Sequence, residues 1–305
     1  MKRRELLKNL ALMGVSAGIG AGVGVKVAGG SGTQVGGSTA AGGISTWDQI
    51  MKNKVLRVGA AMLEPWYFKD TTNSDAPGKV QVGDQVWRGI CPAIAQDVAE
   101  ALGVRLEIIE TTWGNAVAGL QSNQFDAMFM LDATPQRSLS VDFVQNPMLW
   151  YPMSFLAKED ITLSNWNEVN DPKYRIGVAL GTNSDEHISA IAPKAQISRF
   201  QNSGEIFAAF QSGRIDLGMV SAVAVDLARA KIGMGKTIVP QPFLPVAGGI
   251  AVRKETDSRW ISYLNTIAAY YYNTAKVQKH YEDFLAYRNI DAKTSVPVIK
   301  ELWQL

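Results

Sequence analysis

Apolar positions along this chain recur in two alternating rhythms. Compact apolar runs at residues 55–59, 104–109 and 126–131 predict buried strands. Between them, residues 94–102 place Ile94, Val98, Ala101 and Leu102 at helical spacing before a stop at Gly103, and residues 116–121 form a shorter helical stretch. Strand, helix, strand, helix, strand is the pattern of a parallel sheet with crossover helices. The rhythm resumes further on. A strand at 174–180 breaks at Gly181-Thr182-Asn183-Ser184 into a helix, 204–211 is helical, 215–220 is a strand, 222–231 is a helix, and 249–253 returns as a strand. Residues 47–53 predict a short helix docking the amino end, and 70–84 a polar hairpin rich in turn residues. Residues 258–288 predict one long helix with Trp260, Leu264, Ile267 and Tyr271 on a stripe. This predicts an α/β chain of two lobes, lobe 1 from 47–150 and 248–305 and lobe 2 from 151–247. The chain would cross between them near 150–153 and 246–248.

The chemistry concentrates at one strand end. The apolar run 127–131 delivers Asp132, Thr134 and Arg137 to its carboxyl side, where open α/β sheets bind ligands. A guanidinium beside a hydroxyl and a carboxylate suits a small molecule carrying its own charges, because arginine grips a carboxylate bidentately.

Composition narrows the class. Of 305 residues, 47% are apolar, enough for one large domain or two medium ones. The formal charge of +2 comes from the amino end, where Lys2, Arg3, Arg4, Lys8 and Lys26 face only Glu5; without them 25 basic residues stand against 27 acidic ones. Such a body has no electrostatic case for nucleic acid. Cys91 alone excludes an internal disulfide or a cysteine-built metal site, and His187 and His280 share no ligand spacing, so no metal and no cofactor is expected. Residues 1–30, a basic segment followed by a glycine-rich apolar stretch, read as an export signal, and the adjacent arginines point to the twin-arginine route. Cleavage is favoured over a retained anchor because the stretch is barely apolar enough for a bilayer. Residues 31–46 have the composition of a flexible tether. Gly233-Met-Gly-Lys-Thr237 looks like the end of a phosphate loop, but Ala230 stands where the first glycine is required, so it reads as a turn.

An ordered series of segments then carries a resemblance. Leu56-Arg-Val-Gly59, Pro65-Trp-Tyr-Phe68, Ala99-Glu-Ala-Leu-Gly-Val104, Thr112-Trp113, Phe125-Asp-Ala127, Thr134-Pro-Gln-Arg137, Val141-Asp-Phe143, Gly181-Thr182, Ser212-Gly-Arg-Ile-Asp216 and Gly249-Ile-Ala-Val252 together resemble the extracytoplasmic solute-binding proteins of ABC importers, in the polar amino-acid group. The resemblance implies a two-lobed periplasmic-binding-protein fold (type II) with parallel-type sheets joined by two hinge strands. It implies a monomer in the periplasm that captures an amino acid or related zwitterion and delivers it to an inner-membrane permease. It places Arg137 on the ligand's α-carboxylate and Trp113 against its side chain. Thr182, Asn183 and Ser184 open a helix whose free N–H groups favour an anion.

Two positions depart from that pattern. Asp132 stands where the family has Ser or Thr, and Ser221 stands where it has the aspartate that holds the ligand's ammonium. An acid has in effect moved between lobes, and Asp132 is expected to pair with a cationic ligand group or else with Arg137. Glu64, beside Trp66 at the first loop, is expected near the cleft mouth, as a ligand contact or a solvated carboxylate. Met130 replaces a small polar residue and softens the wall. Cyclohexadienyl dehydratases share the fold and the Gly-Thr-Asn run, but carry as their acid a glutamate where this chain has Ser184. Asp185 and Glu186 follow one and two residues later, each turned by about 100° per residue, so the chain is not expected to be an enzyme. A sensor reading, with the clamp fused to a signalling module, is not expected here unless that partner is a separate chain.

Overall fold

The structure is a computed structural model that describes residues 43–303. The proposed signal at 1–30 and most of the tether lie outside the described residues. The tether is shorter than expected at its end. Ser45 caps α1 (Thr46–Asn53), and Thr46 is buried with its N–H and hydroxyl both donating to Glu255.

After α1 the chain runs through β1 (Val55–Ala61) and then β2 (Phe68–Lys69), β3 (Val80–Val82) and β4 (Gln85–Arg88). These last three form a small antiparallel sheet, β2-β4-β3, and the hairpin itself turns at Gly83 and Asp84. The loop before it is held by buried Arg88, which donates to Asp70 at 2.7 Å and to the carbonyls of Ala76 and Pro77. Helix α2 (Ile90–Leu102) precedes β5 (Arg105–Thr111), α3 (Ala116–Gln121) precedes β6 (Ala127–Phe129), and α4 (Pro135–Ser138) precedes β7 (Val141–Phe143). The long β8 (Leu149–Ala157) leaves this region. Then come β9 (Arg175–Ala179), α5 (Asn183–Ile191), β10 (Gln196–Phe200), α6 (Ser203–Gln211), β11 (Leu217–Ser221), α7 (Ala222–Ile232) and β12 (Lys236–Ile238). Finally β13 (Pro245–Gly248) leads back through β14 (Ile250–Arg253) to α8 (Arg259–Asn273) and α9 (Lys276–Tyr287).

Two sheets result. The first runs β5-β1-β6-β14-β7 and the second β10-β9-β11-β8-β12. Each has a parallel core, β5/β1/β6 and β10/β9/β11, but neither is purely parallel. Strand β14 pairs antiparallel with β6 and β7, and β8 pairs antiparallel with β11 and β12. The parallel cores with crossover helices are as expected, and the strands that carry the chain between lobes, β8 and β14, join them antiparallel. Those connections lie side by side: β13 pairs with β8, Val246 opposite Tyr151 and Gly248 opposite Leu149.

The long terminal helix is two helices. Ala275 has φ 58° between α8 and α9, a left-handed conformation that ends one helix and starts the next at a new angle. Their apolar stripes, including Trp260, Leu264, Tyr271, Tyr281 and Phe284, are buried in the first lobe's core. Gly233 caps α7 at φ 70°, and Lys236 begins a strand, so the phosphate-loop look-alike is a helix end followed by β12.

Candidate functional site

The carboxyl ends of strands from both sheets converge on one cavity. Leu63 follows β1, Met130 and Asp132 follow β6, Thr182 follows β9, and Ser221 ends β11; all line it. Crossover topology places these loops together, since parallel strands on either side of the first strand send their connections to opposite faces and leave a crevice between.

The first lobe contributes the charges. Met130 sits at φ 61°, a left-handed turn that breaks β6 after Phe129 and swings Leu131 and Asp132 toward the cavity. Thr134 then caps α4, accepting from the Arg137 N–H at 3.3 Å, with Pro135 pre-set at the first helical position. That single turn fixes Arg137, which is buried and lines the cavity. Its Nη1 donates to the Asp132 carbonyl at 2.7 Å, and its Nη2 reaches across to the Gly181 carbonyl of the second lobe at 2.6 Å. Thr134 is not in the lining; its role in the structure is to hold the turn that carries the arginine.

Asp132 does not form a side-chain ion pair with Arg137. Its Oδ2 accepts the Tyr151 hydroxyl at 2.7 Å, while Oδ1 is buried without a hydrogen-bond partner. Burial pushes its carboxyl up from 3.8 to about 6, against the opposing pull of the Tyr151 hydroxyl, the Arg137 charge and the nearby Asn183 side chain. A carboxyl so placed is an unsatisfied acceptor whose ionised form a cation would stabilise.

The second lobe contributes helix starts. Thr182 caps α5, accepting from the Asp185 N–H at 3.3 Å and donating to the Ala179 carbonyl at 2.7 Å. Asn183 and Ser184, the first residues of that helix, line the cavity, and their N–H groups precede any intrahelical acceptor. Ser221 caps α7 by accepting from the Ala224 N–H at 3.3 Å. The lobes touch beside this point: a Cβ on Gly181, which has φ 71°, would come within 3.0 Å of the Gly114 Cα.

Aromatic walls complete the site. Trp66, Trp113 and Tyr151 all line it, Trp66 and Tyr151 with ring centroids 5.7 Å apart, and the Trp113 Nε1 is buried without a partner. Tyr151 was not singled out by sequence. The only signal was its place at the expected crossing, where alternation along a strand between lobes turns every second side chain toward the gap. Glu64, like Thr134, is a sequence candidate that lies outside the lining of this cavity. Both its oxygens are taken by the Arg288 guanidinium, Oε2 at 3.1 Å, and it lines a separate, more apolar groove.

Two α/β lobes hinged by paired strands, with polar groups from both facing one enclosed gap, define a clamp for a small solute. Residues 70–289 match the bacterial extracellular solute-binding proteins, family 3, and the chain belongs to that family. It is 27% identical over 229 residues to a glutamine-binding protein of Geobacillus stearothermophilus, covering 73% of this chain and 82% of that one. An L-cystine-binding protein of Escherichia coli strain K12 is 26% identical over 216 residues, covering 69% and 77%. A cyclohexadienyl dehydratase of Pseudomonas aeruginosa is 23% identical over 188 residues, covering 60% and 65%. Among solved structures, an ancestral amino acid-binding protein described as a precursor of cyclohexadienyl dehydratase superposes with a TM-score of 0.67 at 29% identity, covering 79% of this chain and 99% of that one. The chain is thus a solute-binding protein of an extracytoplasmic family, with the two-lobed fold of its relatives. Among the described residues, no helix is long and apolar enough to cross a membrane.

Proposed function

We propose that this protein captures a small zwitterion, an amino acid or a close analogue, between its lobes and hands it to an ABC permease of the inner membrane. The observation that carries this reading is the convergence of Arg137 and Asp132 on one interlobe cavity. Arg137 takes the carboxylate, assisted by the first N–H groups of α5; Asp132 takes the cationic group on Oδ1. Ser221 supplies no charge where relatives are expected to carry one, so the cation is held from the first lobe. Trp113 packs on the remainder of the solute, and Met130 gives the wall its compliance. The protein acts as a monomer in the periplasm after export by its twin-arginine-type amino end.

A dehydratase activity is the second reading, favoured by the Pseudomonas relative. The acids of α5 oppose it. Asp185 is tied to Arg199 at 2.9 Å, to the Ser189 hydroxyl and to the Gly181 N–H, and Glu186 is exposed. Neither stands at the Ser184 position where the acid is expected. A thermal-unfolding screen of amino acids, opines, polyamines and small organic acids tests the binding reading, since a solute selective for the closed clamp raises the midpoint by mass action. Stabilisation by a zwitterion supports it; stabilisation only by anions lacking an amine contradicts it.

A further inference from the structure

The charged cavity has an apolar neighbour. Leu63 and Ser203 line both the cavity and the groove that Glu64 borders, so one half-buried leucine and one buried serine separate the two spaces. Leu63 lies in a tight turn. Its N–H donates to the Tyr67 carbonyl at 3.0 Å, and its own carbonyl accepts from the N–H groups of Trp66 and Tyr67. The backbone is thereby held, and the leucine side chain alone has rotamers to change. Beside Arg137 the cleft is shut, because the guanidinium bonds the Gly181 carbonyl and Gly181 abuts Gly114. The partition at Leu63 is therefore where a solute too long for the cavity can extend. Both lobes build the groove beyond it: Leu63 and Phe68 from the first, and Phe207, Leu227, Ala228 and Ile232 from α6 and α7 of the second. Its polar members do not call for a charged guest. Glu64 is the only acid among the described residues lining it, and the Arg288 guanidinium neutralises it while lying over the Phe68 ring at 5.1 Å. The Tyr67 hydroxyl donates to the Phe129 carbonyl at 3.3 Å, and Gln211 and Lys231 are exposed. Hydrocarbon buried there is favourable in proportion to its area, whereas a buried ammonium would need a carboxylate not already paired.

Resting on the amino-acid-binding reading above, we propose that the preferred solute is an α-amino acid with a long, unbranched apolar side chain. Its charged head stays with Arg137 and Asp132, and its side chain turns past Leu63 into the groove between the loop after β1 and helices α6 and α7. Leu63 is then a specificity-determining residue, because its rotamer sets whether the two spaces join.

Calorimetric titration of the protein with L-norvaline, L-norleucine, L-2-aminoheptanoate and L-2-aminooctanoate tests this, beside L-lysine, whose side chain matches aminoheptanoate in length but ends in a charge. Affinity is expected to rise about fourfold with each added methylene, hence about sixtyfold across the series, and L-lysine to bind more weakly than aminoheptanoate. Ala208 is exposed on α6 and lines the groove but not the cavity. Ala208→Phe, checked for folding by circular dichroism, fills the groove and is expected to shrink the ratio of aminooctanoate to norvaline affinity at least about tenfold; the wild-type series decides alone if that variant does not fold. Affinity that is flat or falls beyond norvaline, tighter binding of L-lysine than of aminoheptanoate, or a ratio that a folded Ala208→Phe leaves intact overturns the inference and leaves the amino-acid-binding function standing. If neither these compounds nor the standard L-amino acids bind, both readings fall.

Discussion

Replacing Asp132 by Asn deletes one buried titration, and its effect is readable without knowing the solute. In the folded protein this carboxyl holds its proton until about pH 6, against 3.8 for the ordinary group. The sign follows from linkage. Below the lower value both states are protonated and nothing is lost; as pH rises toward the upper value the unfolded chain releases a proton that the folded chain retains, and folding weakens. At about 1.4 kcal/mol per unit, a rise of roughly two units costs about 3 kcal/mol once pH exceeds the folded value. Between about pH 4.5 and about pH 7.5 the cost grows by about 2 kcal/mol. Asparagine can still accept from Tyr151, but its amide changes local hydrogen bonding by an amount that does not depend on pH. That constant cancels when the two proteins are compared at two pH values. Urea denaturation of solute-free wild type and Asp132→Asn, followed by tryptophan fluorescence, should show the wild type losing about 2 kcal/mol relative to the variant across that range. A difference that is flat, or that moves in the wild type's favour as pH rises, refutes the buried-acceptor account.

Other consequences are equally concrete. Capture of a cationic group by Asp132 requires its ionised form, so zwitterion affinity should weaken toward tenfold per pH unit below about 6; titration calorimetry across pH checks this. Arg137→Lys replaces a planar fork by a point charge and should weaken carboxylate binding by about 2–5 kcal/mol, measured as a change in Kd, while loss of the fork's bonds to the Asp132 and Gly181 carbonyls lowers the solute-free unfolding midpoint as well. Gly181→Ala places a Cβ 3.0 Å from the Gly114 Cα at a left-handed position, so affinity should fall at least about tenfold while the solute-free protein loses only about 1 kcal/mol. Prephenate and arogenate should show no turnover above background; turnover removed by Ser184→Ala would revive the enzymatic reading.

The sequence revealed the strands and helices wherever an apolar face repeats, and hid them where none does. Helix α3 begins and ends where its spacing placed it, whereas β10, with Gln196, Ser198 and Arg199 largely at the surface, carries no buried stripe to read. The break between α8 and α9 contains neither glycine nor proline, and Ala275 takes its left-handed turn without interrupting the apolar period. The charged pair Asp132 and Arg137 was legible because both lie within one strand-to-helix turn. Glu64 was not, since the arginine that neutralises it is 224 residues away along the chain. Nor was the donor to Asp132, for Tyr151 reaches it from a hinge strand whose register no local motif records.

A crystal structure of the protein with its stabilising solute bound is the most direct measurement of the central claim. It should show the solute's carboxylate within hydrogen-bond distance of the Arg137 guanidinium and its cationic nitrogen at Asp132, with both lobes in contact with it. A solute held outside the interlobe cavity, or held there with Arg137 making no contact to it, would contradict the account.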